Sequence, residues 1–194
     1  MGSTPTPLHI PKFDSVTFDT LLERHNPFSS IDCTFDLTGV EFIAPSAAVQ
    51  LAAACHGLAR EGRRPLIVVN DEALRTYLMR SGFIQVVQPV AQFQPRIPVL
   101  HAHSYDHLRG SNPMLIEVTK IQRGAELPAL LDRMVHVLHY RLKYKKNDAF
   151  DVAIAISEVC QNSFDHNAHT CGFLAMQVYR SGCGCSHRTW WIIR

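Results

Sequence analysis

Residues 31–38 read IDCTFDLT, and their side chains alternate strictly between apolar and polar. Successive side chains of a β-strand face opposite ways, so this alternation predicts a strand with one buried face and one exposed face. The apolar positions are Ile31, Cys33, Phe35 and Leu37. The segments that follow this strand predict further helices and strands.

A helix follows the strand. The segment SAAVQLAAACHGLAREG (46–62) is rich in alanine, a strong helix former. Ser46 is placed behind Pro45 as a predicted N-cap, and Gly62 can adopt the left-handed conformation that ends many helices. The sequence therefore predicts a helix over 46–62.

A second strand and helix repeat the same order. PLIVVN (65–70) is a short run rich in β-branched residues, typical of a strand buried on both faces. DEALRTYLMRSGF then predicts a helix that starts at Asn70 or Asp71 and ends at Gly82. Strands alternating with helices at short spacing predict an α/β domain, which we assign to residues 13–88.

Proline content and changes in hydrophobic periodicity indicate the remaining domain boundaries. Residues 1–12 are rich in Pro, Ser and Thr and predict a loose arm. Residues 89–113 contain four prolines and no sustained period, which predicts a linker with a strand near 96–100. From residue 114 to residue 194 a second unit is expected, with the order strand, long helix, helix, strand. Its long helix, from about Glu126, carries a stripe of leucines at core-facing spacing.

Composition limits the class of protein. The 194 residues are 46% hydrophobic and 19% charged, which is typical of a globular chain. A formal charge of +2 argues against a nucleic-acid partner, and the basic cluster RLKYKK (141–146) lies where a helix should end. Six cysteines without a secretory leader, and no long apolar stretch, predict a cytoplasmic protein with no membrane partner. Cys33, Cys55 and Cys160 are predicted to be small buried hydrophobic residues.

The segment AISEVCQNSFDHN (155–167) places four polar side chains among apolar ones. On a helix these side chains fall within an arc of about 100°, with an apolar stripe centred on Ile156 opposite them. The four are Glu158, Asn162, Asp165 and His166. An amphipathic helix with a solvated face explains the pattern, and so does a functional face that presents a carboxylate, an amide and an imidazole.

The first unit resembles a STAS domain, the fold of the anti-sigma factor antagonists. The resemblance lies in IDCTFDLTGVEFIAPSA, the helix after it and the unit that ends in ALRTYLMRSGF. It implies a regulatory protein partner of the anti-sigma or sigma-like class, and it matches Ser46 to the Ser that a partner kinase phosphorylates. The family has an acidic residue two positions before that Ser, where this chain has Ala44. Both the N-cap and the phosphosite interpretation of Ser46 therefore stay open.

The second unit is similar to the beginning of a GHKL ATPase domain, the fold of sensor kinases and anti-sigma kinases. The N-box of that family reads ExxxN followed by a basic residue or His, and ISEVCQNSFDHN supplies Glu158, Asn162 and His166 in that order. The resemblance implies ATP and Mg²⁺ as cofactors, with Glu158 as the catalytic residue. It also implies that Asn162 binds the magnesium of the nucleotide and that His166 contributes to cofactor binding.

The sequence departs from the GHKL pattern after Arg180. The family continues to a DxGxG motif that binds adenine, and no such motif occurs here. The atypical tail from about residue 181 is explained by a truncation or a change of reading frame, and Trp190 to Ile193 would then form an unprotected apolar end. A native tail with Cys183, Cys185 and His187 as part of a metal site is the alternative. His101, His103 and His107 form a second weak metal pattern.

The expected fold is therefore α/β (or α+β), a STAS-like sheet with helices followed by an incomplete GHKL-type sandwich. The expected function is a cytoplasmic signalling regulator that lacks catalytic activity by itself. One alternative is an active protein kinase or ATPase whose glycine motifs are missing from this sequence. The other is a plain protein-binding module without nucleotide binding. A homodimer is compatible with each of the three.

Overall fold

The computed structural model describes residues 12–24, 28–29, 33–98, 115–122, 126–166, 171–180 and 186–193. In its N-terminal part the strands are β1 (Lys12–Phe13), β2 (Thr34–Asp36), β3 (Phe42–Ile43), β4 (Leu66–Val68) and β5 (Gln92–Gln94). The helices are α1 (Ser15–Arg24), α2 (Pro45–Arg60), α3 (Glu72–Arg80) and α4 (Phe83–Val87).

The predicted α/β arrangement is confirmed in its general form. Strands β2, β4 and β5 form a parallel sheet in that order, and the register places Phe35, Ile67 and Phe93 side by side in the core. Parallel strands need a crossover, and α2 and the α3–α4 pair supply the two that this sheet requires. Strand β1 pairs with β3 in a separate parallel ribbon.

The helix boundaries follow local chemistry. Asp71 caps α3, because its carboxylate accepts a hydrogen bond from the backbone N–H of Leu74 at 2.6 Å. Gly62, with φ +77°, follows the end of α2 as predicted. The prediction that Ser46 is the N-cap of α2 is wrong. Pro45 takes the first helical position, where its fixed φ is favourable, so the extended residue Ala44 becomes the cap.

Two features of the N-terminal part differ from expectation. Helix α1 and strand β1 were not predicted. Strand β5 lies inside the segment 89–113 that the sequence indicated as a linker, and Ile97 after it is buried. The first sheet therefore continues past residue 88, because residues 92–94 lie between Pro89 and Pro95, and the residue before a proline is biased toward the extended conformation of a strand.

The C-terminal part contains strands β6 (Leu115–Gln122), β7 (Cys171–Arg180) and β8 (Ser186–Ile193). Its helices are α5 (Leu127–His136), a π-helical segment (Val137–Arg141) and α6 (Lys146–His166). The three strands form an antiparallel sheet in the order β6, β7, β8. The elements from β6 to β7 follow the predicted order of strand, long helix, helix and strand, whereas β8 was not predicted.

Residues 186–193 of the tail form a strand. Strand β8 pairs with β7 along its whole length, from Arg180 opposite Ser186 to Phe173 opposite Ile193. Helix α2 of the N-terminal part packs across β7 and β8. Strand β8 was not predicted from the sequence, because its antiparallel pairing with β7 is a tertiary contact.

The second sheet is covered on both faces. Phe173 and Ala175 of β7 join the core that contains α2, whereas Leu174 and Met176 pack with α5 and α6. Successive side chains of a strand face opposite ways, so β7 contributes to both cores. Helix α2 consequently belongs to the first core and also covers the second sheet, and the two units form one packed structure. No helix in the described residues is long and apolar enough to cross a membrane.

Candidate functional site

Helix α6 carries the predicted N-box. Its buried residues lie on one stripe that packs against α5 and the second sheet: Ala149, Ala153, Ile156, Cys160 and Phe164. Glu158, Asn162 and Asp165 are exposed on the other side. The amphipathic division predicted from the sequence is confirmed, because the apolar stripe is buried against the protein and the polar stripe is not.

Glu158 and Asn162 lie one helical turn apart on the exposed side of α6. Neither side chain has a hydrogen bond or ion pair with another residue in the described ranges. Asp165 is different, because the Gln161 amide donates to both of its carboxylate oxygens at 3.3 Å. His166 is the last residue of α6, and its side chain lies outside the described part of the chain. Glu158 and Asn162 can therefore receive a ligand from solvent without breaking a bond to another described residue.

Large apolar side chains share the exposed side of α6. Ile154 is 59% exposed, and Phe150 and Val159 are also exposed. The ammonium of Lys146 lies 5.9 Å from the centre of the Phe150 ring, a cation–π contact. This face therefore combines a carboxylate and an amide with exposed apolar side chains, a composition that favours binding of another molecule more than an ordinary solvated helix surface does.

Ser46 lies at the buried start of α2. Its side chain is 1% exposed, and its hydroxyl oxygen has no hydrogen-bond partner among the described residues. A phosphate at this position would have to be placed in a packed core, which is strongly unfavourable for a charged group. Modification of Ser46 therefore requires that the start of α2 first be uncovered.

The predicted metal patterns receive no support from the described residues, where no three His, Cys, Asp or Glu side chains are grouped to hold an ion. His101, His103, His107, Cys183 and Cys185 lie outside the described residues, as does the side chain of His187. Cys33, Cys55 and Cys160 are buried as predicted. Burial raises the pKa of the Cys160 thiol to about 11 and raises that of Cys55 further, so neither is a ready nucleophile.

A second site lies at the junction of the two units and was missed by the sequence analysis. Glu117 of β6 is buried, and its carboxylate forms an ion pair with the Arg133 guanidinium of α5 at 2.6 Å. The only signal in the sequence is a charged residue inside the apolar strand MLIEVTKI. That signal gives no partner, because Arg133 lies sixteen positions further along the chain.

His56 of α2 faces the same junction. Its Nε2 lies 3.0 Å from the carbonyl oxygen of Val86, which can only accept, so this nitrogen carries the proton. The His56 ring also packs on Phe173 of β7, with ring centres 5.0 Å apart. Burial lowers the pKa of His56 below its ordinary value, and the charges of Lys120 and Arg60 lower it further, against the opposing effect of the Val86 hydrogen bond. The neutral ring leaves Nδ1 as an acceptor.

Comparison with known proteins gave no family assignment: no protein-family model, no curated protein and no solved structure matches this chain.

Proposed function

We propose that this chain is a signalling regulator that acts by binding a regulatory protein, and that it has no catalytic activity by itself. The observation that carries the proposal is the exposed face of α6, where Ile154, Val159 and Phe150 flank Glu158 and Asn162. Exposed apolar patches bordered by polar residues are characteristic of protein–protein contacts. The resemblance to STAS and GHKL domains suggests a partner of the anti-sigma or sigma-like class.

The packing of the two units supports a regulatory role. Helix α2, which begins beside the Ser46 that the STAS resemblance matches to a phosphorylated Ser, is covered by β7 and β8 of the same chain. A partner that required α2 would therefore have to separate the units. A partner that uses α6 can bind without this cost, since the outward face of that helix is already exposed.

The exposure of Ile154 provides a direct test. Ile154→Glu should abolish binding to the cognate regulatory protein in a two-hybrid screen against anti-sigma and sigma-like proteins. Val16→Glu is the matched control, because Val16 is also an exposed aliphatic residue but lies on α1. A screen in which no such protein binds, or in which both variants bind equally well, would contradict the proposal.

Nucleotide binding is the second candidate function, because Glu158 and Asn162 are one turn apart and both face solvent. We expect no saturable binding of Mg-ATP up to about 1 mM, since the sequence lacks the DxGxG motif. A Kd of about 1 mM corresponds to a binding free energy of only about 4 kcal/mol. Calorimetric titration of the full chain checks this. Micromolar binding that Asn162→Ala removes and Gln161→Ala retains would instead support an active GHKL-type kinase or ATPase.

A further inference from the structure

A cleft of about 710 Å³ lies at the junction of the two units. Its volume is within the range of small-molecule sites, roughly 300–1,000 Å³. One wall comes from α2 and the segment around α4, and the other comes from β6 and α5. A ligand in this cleft would therefore touch both units at once.

A β-bulge fixes the position of the β6 wall. The register between β6 and β7 shifts between Ile116 and Thr119, and the backbone N–H of Val118 donates to the carbonyl of Ser81 at 2.7 Å. Gly82, with φ +75°, allows β6 to approach closely: a Cβ at Gly82 would lie 2.7 Å from the Cβ of Glu117. Bulges often re-aim side chains beside functional sites, and this one accompanies a carboxylate that lines the cleft.

The lining of the cleft contains equal numbers of positive and negative side chains. The Glu117 side chain is 5% exposed and pairs with Arg133, whose side chain is 45% exposed and keeps other N–H groups accessible. Lys120 and Glu126 add a second cation and a second anion to the lining. The neutral His56 ring adds no charge. Two positive and two negative groups favour a ligand that carries both signs.

Apart from Gln85 and Thr119, the rest of the lining is apolar. Val86 and Val90 lie on the N-terminal unit, and Ala129 and Leu130 lie on α5. These side chains can cover an aliphatic or aromatic group and exclude water from it, while the charged groups fix the orientation of the ligand. The cleft thus combines an apolar wall with charged groups of both signs.

We propose that this cleft binds a small zwitterion with an apolar body, namely an apolar α-amino acid. The carboxylate of the ligand is directed to Arg133 and Lys120, its ammonium to Glu117 and Glu126, and its side chain to Val86, Val90 and Leu130. Binding should stabilise the packing of the two units, because only the docked arrangement contains the whole site. This inference does not depend on the proposed role of α6.

The test uses the full chain and L-leucine as the probe. Calorimetric titration should show saturable binding with a Kd of about 1 mM or tighter, a reasonable affinity for so small a ligand. 4-Methylpentanoate, which lacks the ammonium, and 3-methylbutylamine, which lacks the carboxylate, should each bind at least about tenfold more weakly. Binding of either compound as tightly as leucine would overturn the assignment to amino acids.

Two exposed alanines provide matched variants. Ala129→Trp should fill the cleft and abolish leucine binding, whereas Ala155→Trp, on the exposed side of α6, should leave it unchanged. Circular dichroism of both variants checks that they fold. Lys120→Met should weaken binding about three- to tenfold, in line with the loss of one charge-assisted contact. No saturable binding of leucine to the folded wild-type chain, or undiminished binding to Ala129→Trp, would overturn the proposal.

Discussion

Helices α2 and α6 are the two longest α-helices among the described residues, and they are buried in opposite ways. Ten of the sixteen residues of α2 are buried, because it belongs to the first core and also covers β7 and β8. Helix α6 buries one stripe against α5 and the second sheet and leaves the other side exposed. A helix covered on two sides leaves little surface for a protein partner, whereas a helix covered on one side leaves a whole face for it.

The two helices also differ in whether their predicted functional residues are accessible to a ligand or partner. The residues of α2 are mostly alanine and other small or apolar types, and its one predicted functional residue, Ser46, is buried. On α6 the predicted residues Glu158 and Asn162 face solvent. The structure therefore favours α6 over α2 as the surface for recognition, although the STAS resemblance draws attention to α2.

The largest effect should come from a deletion of side-chain volume in α2. Leu58→Ala removes a fully buried side chain, so we expect the free energy of unfolding to fall by about 2–5 kcal/mol. Ile154→Ala on the exposed face of α6 should change it by less than about 0.5 kcal/mol. Urea unfolding of both variants measures the difference. Similar losses in the two variants would refute the contrast between the helices.

A smaller effect is expected where the two units meet at Gly82. Gly82→Ala places a Cβ against Glu117 and also forces a residue with a side chain to adopt φ +75°. Gly62→Ala is the matched control, since φ is +77° there but no atom lies within 4 Å of the added Cβ. We expect Gly62→Ala to cost about 1 kcal/mol and Gly82→Ala to cost about 1–3 kcal/mol more. Equal losses in unfolding experiments would mean that the junction is not closely packed.

The smallest effect concerns the ionisation of His56 in α2. Its pKa in the folded protein lies below the ordinary value of 6.5, so the unfolded chain binds a proton more readily as the pH falls through that value. The stabilisation is therefore fully present above that pH and is lost as the pH falls toward the folded pKa. Between about pH 7.5 and about pH 5.5 the melting temperature of the wild type should fall by about 1 °C more than that of His56→Gln.

The glutamine variant is the appropriate reference because its amide can still donate to the carbonyl of Val86. Thermal melts of the two proteins in matched buffers isolate the contribution of His56 from that of the other titrating groups. Parallel loss of stability in both proteins would show that the junction does not disfavour the charged imidazolium.

The hydrophobic pattern of each segment was sufficient to predict most of the helices and strands. Alternation at 31–38 located β2, and alanine content with Gly62 located α2. The leucine stripe after Glu126 located α5, and the apolar stripe of α6 identified its buried side. These predictions succeeded because each depends on the periodicity of one segment. Helix α1 and strand β1 were not predicted, and β1, with two residues, is too short to show a period.

The sequence by itself determined the central helices and strands of each unit, the α/β character and the polar stripe of α6, since each follows from which side chains a single helix or strand can bury. Only the tertiary structure decided that α2 covers the second sheet, that the tail pairs as β8, and that Glu117 meets Arg133 on one wall of a cleft. These features join residues that are distant in the chain. Periodicity within one segment specifies which face must be covered, but it does not specify which other segment covers it.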